Sequence, residues 1–539
     1  MIISLKFIKI LGADWLKFHP YDSIDATDTY YINLSTRILQ MFNRSSLTSD
    51  FFEGQNDAKN FVCYLAAYFE DVISETRMFA AFRKIHEKLY GKLLPFYNLT
   101  DEEYYEDEVN RRDIHFLFWY YFSVKYIDEE QLTDPFWENI PDIKQIIDSI
   151  YNLFESEFEN APINEKLQDF IFQFDDNKAL TVREKLEFIA QNSYLHNVYF
   201  SKRFAEMCES YKRNGAVVLT EENNISLYDQ RINYIFNDCS PLFAILAKDY
   251  YAELLREEHP YYQLIKNISK RKFGYFLLQK KENDRLIIKH IPSNKKIVLS
   301  KEMVMFPDHS LHENETVLCI GIVEWSDGVW QMMGSGFLLV EDEMNRNPAI
   351  DSIFADDLKR NTIEKQKMAF IQANGGRLIK YLRGKEAFLQ FHIKITRIYT
   401  KIADPQISDK EINELMQLFI AHQNNIDLPF DDDEPITVFF NESSGVEMYR
   451  YNVTSCLSDK NNPYYIKGET FDWETLITIG TFSKEFIRYI IENKIITLEL
   501  DEDIHSYTMY DTITENLDFL LRFYRRNAYW SEPEVSIQY

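Results

Sequence analysis

The fold class this sequence predicts is multidomain α+β. It comprises a mainly helical N-terminal domain over residues 1–265, a small antiparallel β-barrel of SH3-like or OB-like kind over 266–344, a helical segment over 345–425 and a C-terminal α+β domain over 426–539. Three observations predict it. Apolar residues recur at three- and four-residue steps through the first half, where glycine is almost absent. Near residue 268 the pattern changes to alternating or continuous Ile- and Val-rich runs separated by turn residues. Helical periodicity then returns and gives way, after an acidic connection, to a second alternating stretch. With 539 residues, 45% of them hydrophobic, the chain has enough apolar surface to offset the ordering entropy of several cores.

The N-terminal run MIISLKFIKILGADW reads as the start of a strand or helix. Lys6 and Lys9 interrupt it, and no small-residue cleavage site follows, so it is not a signal peptide. Pro20 blocks helix, and Thr27 or Asp28 is the expected N-cap ahead of Tyr31, Leu34, Ile38 and Met41. NFVCYLAAYFEDVISETRMFAAFRKIHEKLY carries a buried helical face, and DEEYYEDE (101–108) reads as a solvated loop or helix start. HFLFWYYFSV (115–124) is too short to cross a bilayer, so no membrane partner is expected.

The expected barrel strands are GYFLLQ, RLIIKHI, KKIVLS, TVLCIGIVEW and VWQMMGSGFLLV. Turns fall at Asn283-Asp284, Pro292-Ser293-Asn294 and Asp327-Gly328. Beyond them, residues 359–402 read as helix with one stop at Asn374-Gly375-Gly376. NNIDLPFDDDEP is a linker, ITVFFNESSGVEMYRY a hairpin turning at Glu442 to Gly445, and SKEFIRYIIEN and ENLDFLLRFYRR are closing helices.

Charge is the most informative feature. The chain has a net charge of -27, yet residues 266–301 and 359–401 each carry +9. Such asymmetry points to an anion-binding face on an otherwise repelling body. The candidate binding residues are Lys270, Arg271, Lys272, Lys280, Lys281, Arg285, Lys289, Lys295 and Lys296, with Arg377, Lys380 and Arg383 at three-residue steps along one expected helix face. On a nucleic-acid reading these track phosphates, and whichever of Tyr275, Phe276 and His290 faces outward offers a stacking surface. On the competing reading they dock against acidic surfaces of the same chain or keep strand edges from pairing.

Catalytic signals are weak. PDHSLHENE (307–315) gathers Asp308, His309, His312, Glu313 and Glu315 but lacks H-E-x-x-H and reads as a solvated loop, so no metal is assigned. Asp431, Asp432, Asp433 and Glu434, or Asp501, Glu502 and Asp503 with His505, supply oxygen ligands of the kind Mg²⁺ takes, although acidic runs in acidic chains are usually solvated. Gly334-Ser335-Gly336 is a strand kink and not a phosphate loop, and Ser443-Ser444-Gly445 is no nucleophile elbow. Aromatic runs at His115 to Tyr121 and Tyr194 to His196 read as core. Five widely spaced cysteines without a C-x-x-C pair fit a reducing, cytoplasmic setting; Cys456 has the most polar sequence context. No cofactor is expected.

DWLKFHPYDSIDATDTYY, the β module ending GIVEWSDGVWQMMG, ITVFFNESSGVEMYRY with DKNNPYY, and ENLDFLLRFYRR together resemble an uncharacterised bacterial family, a domain of unknown function, over nearly the whole chain. The resemblance implies a cytoplasmic multidomain protein and no catalytic residue. The expected function is therefore a soluble binding or scaffold protein. Its interaction face lies on the basic barrel and following helices, for an unidentified macromolecule such as nucleic acid or another polyanion. The alternative is a metal-dependent hydrolase of phosphate esters working through the acidic clusters.

Overall fold

Asp25 starts the first long helix. Its side chain accepts from the Asp28 amide at 3.1 Å while the Asp28 carboxylate accepts from the Asp25 amide at 2.9 Å. This reciprocal box corrects the expected cap at Thr27 or Asp28, because the cap residue needs extended backbone and Asp25 has it, with φ -122°. The structure is a computed structural model. It describes residues 8–43, 52–97, 99, 104–128, 132–133, 140–174, 179–213, 221–326, 328–340, 352–423, 431–478, 481–496, 498–499 and 506–530. The chain forms two compact units, Met1–Arg346 and Asn347–Tyr539.

The first unit opens with helices α1 (Gly12–Leu16), α2 (Ala26–Phe42), α3 (Gln55–Ile73), α4 (Met78–Tyr90), α5 (Arg111–Lys125), α6 (Pro141–Glu157), α7 (Glu165–Phe172), α8 (Ala179–Glu187), α9 (Tyr194–Arg213), α10 (Glu221–Asn237), α11 (Ala247–Leu255) and α12 (Tyr262–Asn267). Every residue of α5 from Asp113 to Val124 is buried, as expected of a helix apolar on all sides. Its rings interlock with α3 and α4, with Phe61 4.7 Å from Tyr121 and Phe82 4.5 Å from Phe116. Tyr194 and His196 are likewise buried. Among the described residues no helix is long and apolar enough to cross a membrane.

Strands β1 (Lys272–Lys281), β2 (Arg285–His290), β3 (Lys296–Ser300), β4 (Thr316–Ser326) and β5 (Val329–Val340) follow. They pair in the order β1-β2-β3-β5-β4, and β4 also pairs with β1. This five-stranded sheet departs from the wholly antiparallel one expected from the sequence at a single pairing. Between β3 and β5 only Val298 and Leu299 meet Val329 and Trp330, and that pairing is parallel. Two register shifts coil the β4–β5 hairpin, bringing the start of β5 alongside the five-residue β3.

The sheet is pinned to α10 by Arg271. Its guanidinium donates to Asp229 Oδ1 at 2.6 Å and to the Met333 carbonyl at 2.8 Å, while its backbone exchanges two hydrogen bonds with the Asn237 side chain. Only glycines fit around that side chain: a Cβ at Gly321 would lie 2.2 Å from Nη2, and one at Gly334 2.9 Å.

The second unit contains α13 (Ser352–Ala373), β6 (Ile379–Arg383), α14 (Gly384–Ala403), α15 (Asp409–Gln423), β7 (Pro435–Asn441) and β8 (Gly445–Tyr449). The antiparallel sheet runs β6-β7-β8, and Phe370, Phe388 and Phe391 pack with Ile436, Val438 and Phe440 in one core. Strand β6 corrects the expected helix after Asn374. Gly375 and Gly376 take φ of 64° and 87°, and the chain leaves them extended to pair Ile379–Arg383 with Pro435–Phe439. Helices α16 (Lys484–Glu492) and α17 (Leu517–Tyr524) stand where the closing helices were expected.

Candidate functional site

The cationic residues singled out by sequence divide by environment. Arg271 is buried at the α10 junction. Lys280 pairs with Glu282 at 2.9 Å, Arg285 with Asp284 at 3.1 Å and Lys281 with Asp308 at 3.6 Å. Lys270 and Lys272 are half-buried and have partners of their own. Lys289, Lys295 and Lys296 have no carboxylate partner among the described residues. Strand alternation places Leu286, Ile288 and His290 of β2 and Ile297 and Leu299 of β3 inward, so Lys289 and Lys296 lie on the opposite face. They are direct cross-strand partners. Lys295 is exposed, with its ammonium 5.8 Å from the Trp330 ring centre.

Tyr275, Phe276 and His290 do not supply the expected stacking surface. All three are buried, and His290 Nδ1 is engaged with Ser293 Oγ at 2.7 Å. Lys380 and Arg383 lie on β6 with Arg377 just ahead of it, so the expected single helix face is corrected to a strand. Arg383 Nε donates to the Asp433 carbonyl at 2.8 Å. The two basic blocks belong to different compact units.

The acidic set Asp431, Asp433 and Glu434 lines an open depression together with Arg383 and Arg450, and Glu434 pairs with Arg450 at 3.3 Å. Asp501, Glu502, Asp503 and His505 lie outside the described residues. His309 and His312 are exposed on the β3–β4 connection, where Glu313 accepts from the Lys281 amide at 2.6 Å. Cys456 is buried in spite of its polar sequence context; its thiol donates to the Asn452 carbonyl at 3.2 Å, and burial pushes its pKa up. It is no poised nucleophile.

Sequence reasoning missed two constellations in the helical unit. In the first, His19, Asp28 and Glu70 present ligand-type atoms within 4.8 Å of one another, all buried. His19 Nε2 meets Glu70 Oε2 at 2.8 Å, Asp28 accepts from Trp15 Nε1 at 2.9 Å and Tyr21 OH at 3.0 Å, and Glu70 accepts from Asn164 at 2.8 Å. Burial opposes a charge on His19, but the Glu70 carboxylate outweighs it and holds the imidazole above its usual range. With these oxygens hydrogen-bonded inside the chain, the group is a polar tie between α1, α2, α3 and α7.

The second is a cavity of about 680 Å³. Arg77 lines it from the N-cap of α4, Arg83 from the middle of that helix and Arg256 from the end of α11; Phe79, Ala161 and Ile163 form apolar wall. At its buried end, Asp71 accepts from the Met78 and Phe79 amides and Tyr194 OH, and Asp113 accepts from Tyr68 and Tyr104. Tyr104 is thus buried, which corrects the expected solvation of DEEYYEDE at that residue. Arg83 donates to Tyr104 OH at 2.8 Å and to the Glu106 carbonyl, leaving its buried Nε without a partner. No local motif announces this site, since its arginines come from segments up to 179 residues apart.

Fold and geometry therefore define a mixed α+β protein with a mainly helical first unit, a five-stranded sheet, and cationic sites free of catalytic pattern. The family model described as "Protein of unknown function (DUF3843)" matches residues 9–286, more than half of the chain, and the chain belongs to that family. The match spans the helical region, β1 and the start of β2. No curated protein and no solved structure matches the chain.

Proposed function

We propose that this chain is a binding protein for a polyanion, with the outward face of β2 and β3 as its contact surface and single-stranded nucleic acid as the ligand class. One observation carries the reading: Lys289 and Lys296 stand directly opposite each other across the strands, with exposed Lys295 adjacent in sequence to Lys296 and no carboxylate paired with the three among the described residues. Like charges placed directly across a strand pair repel, and an anion laid over them relieves the repulsion. The strand order is that of OB-like sheets, which take oligonucleotides on the face of their second and third strands. The pairing of Lys280, Lys281 and Arg285 with nearby carboxylates confines the surface to these three lysines. The hydrolase alternative is weaker, since the described acidic set already shares its depression with two arginines.

Fluorescence anisotropy of a labelled oligo-dT across a salt series tests this reading. With three lysine contacts, the logarithm of affinity is expected to fall against the logarithm of salt with a slope of about 2. The triple change K289E, K295E and K296E, with its circular dichroism unchanged, is expected to abolish binding. Binding that is absent at low salt, or indifferent to the triple change, overturns the proposal.

A further inference from the structure

Arg77, half-buried, and Arg256, exposed, meet at a cavity of the helical unit. Both line the same cavity, and neither is ion-paired among the described residues. Burial, and next the charge of Arg256, hold the Arg77 guanidinium below its usual range; the attraction of Glu75 is the smaller effect. Glu75, which also lines the cavity, attracts Arg77 without forming an ion pair, and the two like charges have no paired counter-ion among the described residues. The buried carboxylates at the cavity's end do not supply one, because Asp71 is saturated by two amides and two hydroxyls and Asp113 by two tyrosines.

The backbone adds a second observation. Arg256 takes φ 70° with ψ 160°, a region that glycine alone occupies without strain, and Arg77 takes φ 64°. Arginine at position 256 is therefore held where its own conformation disfavours it. The third observation is Arg83, which is 6% exposed, lines the cavity and has its Nε unpartnered. An orphaned donor of this kind has lost its hydration and gained nothing in exchange.

We infer that this cavity is a binding site for a small molecule bearing one carboxylate or phosphate group on a neutral or cationic body. The guanidinium forks of Arg77 and Arg256 match either oxyanion, and Arg83 Nε supplies a further donor. The volume falls within the range of small-molecule sites, of the order of 300 to 1,000 Å³. Ile163, Phe79 and Ala161 offer apolar wall to the body of the ligand. Exposed Glu75, Glu106, Asp107, Glu108 and Glu159, which also line the cavity, repel a second negative charge, which separates this ligand from the polyanion of the sheet face.

The test is thermal unfolding of the full chain with inorganic phosphate or acetate, against chloride at matched ionic strength. The midpoint is expected to rise with at least one of the two anions, and the larger rise identifies the headgroup. Arg77→Ala and Arg256→Gly are expected to lose that rise, whereas Arg37→Ala, which removes a surface pair with Glu157, keeps it. Because Arg256→Gly relieves backbone strain, it should unfold at a higher temperature than the parent without anion, so its lost response is not a folding failure. Oligonucleotide binding should be unchanged in both cavity variants, which keeps this test apart from that of the sheet face. No rise with either anion, or a rise that survives both cavity variants, overturns the inference.

Discussion

Arg271 donates to Asp229 across 2.6 Å from inside a slot walled by Gly321 and Gly334. The arginine is 4% exposed at its side chain, so its charge depends on this partner and on the Met333 carbonyl. Arg271→Ala is expected to destabilise the first unit by about 3 kcal/mol, because it leaves Asp229 only the Ser335 amide and hydroxyl and opens a cavity. Gly321→Ala is expected to do comparable harm. Urea denaturation checks both, and a loss that vanished in 1 M salt would place the pair at the surface instead.

Acid stability should reflect two opposed groups. Burial lowers the pKa of His196 to about 3, so the unfolded chain takes up that proton first; the stability of the neutral ring is present above about 6.5 and is lost as pH falls below it. Asp113 is pushed up to about 6 by burial, so the folded chain protonates first there; its contribution is present below about 4 and is lost as pH rises through 6. Denaturation between pH 4 and 7 should show a shallower acid loss for His196→Gln and a steeper one for Asp113→Asn.

In the second unit, Glu447 is a buried carboxylate that accepts from Asn441, Ser444, Tyr449 and Ser483. Burial raises its pKa against those four donors. Glu447→Ala removes the acceptor of all four, leaving Asn441 its bond to Glu485, and is expected to cost about 3 kcal/mol, while Glu447→Gln recovers part of the loss. Chemical denaturation of the full chain, followed through a probe in the second unit, measures both.

Arg256→Gly is expected to stabilise the first unit by about 1 kcal/mol in anion-free buffer, the relief of a glycine-type conformation less the entropy glycine loses on folding. Calorimetry reads this directly. A destabilised variant would show that the side chain holds the fold and not a ligand.

The sheet was legible because its alternation survives in the sequence: Leu286, Ile288 and Ile297, Leu299 mark the inward face with no knowledge of partners. Strand β6 was not, because Arg377, Lys380 and Arg383 mimic a helical step over a run too short to show its own period. The burial of Arg271 was hidden for a different reason. Within Lys-Arg-Lys it looks like surface charge, and only the distant Asp229, Gly321 and Gly334 make room for it. His19 and Glu70 are 51 residues apart, and Arg256 is 179 residues from Arg77, so these sites exist only after folding.

The family match stops at residue 286, one residue beyond the first pairing position of β2. A polypeptide ending there would keep β1 but lose β4, its long partner, and most of β2, exposing bare amides and carbonyls along both sides. It would also lack Gly321 and Gly334, the walls around Arg271. The piece that can be expressed intact is therefore longer than the stretch the family model matches, and has to extend at least through Val340.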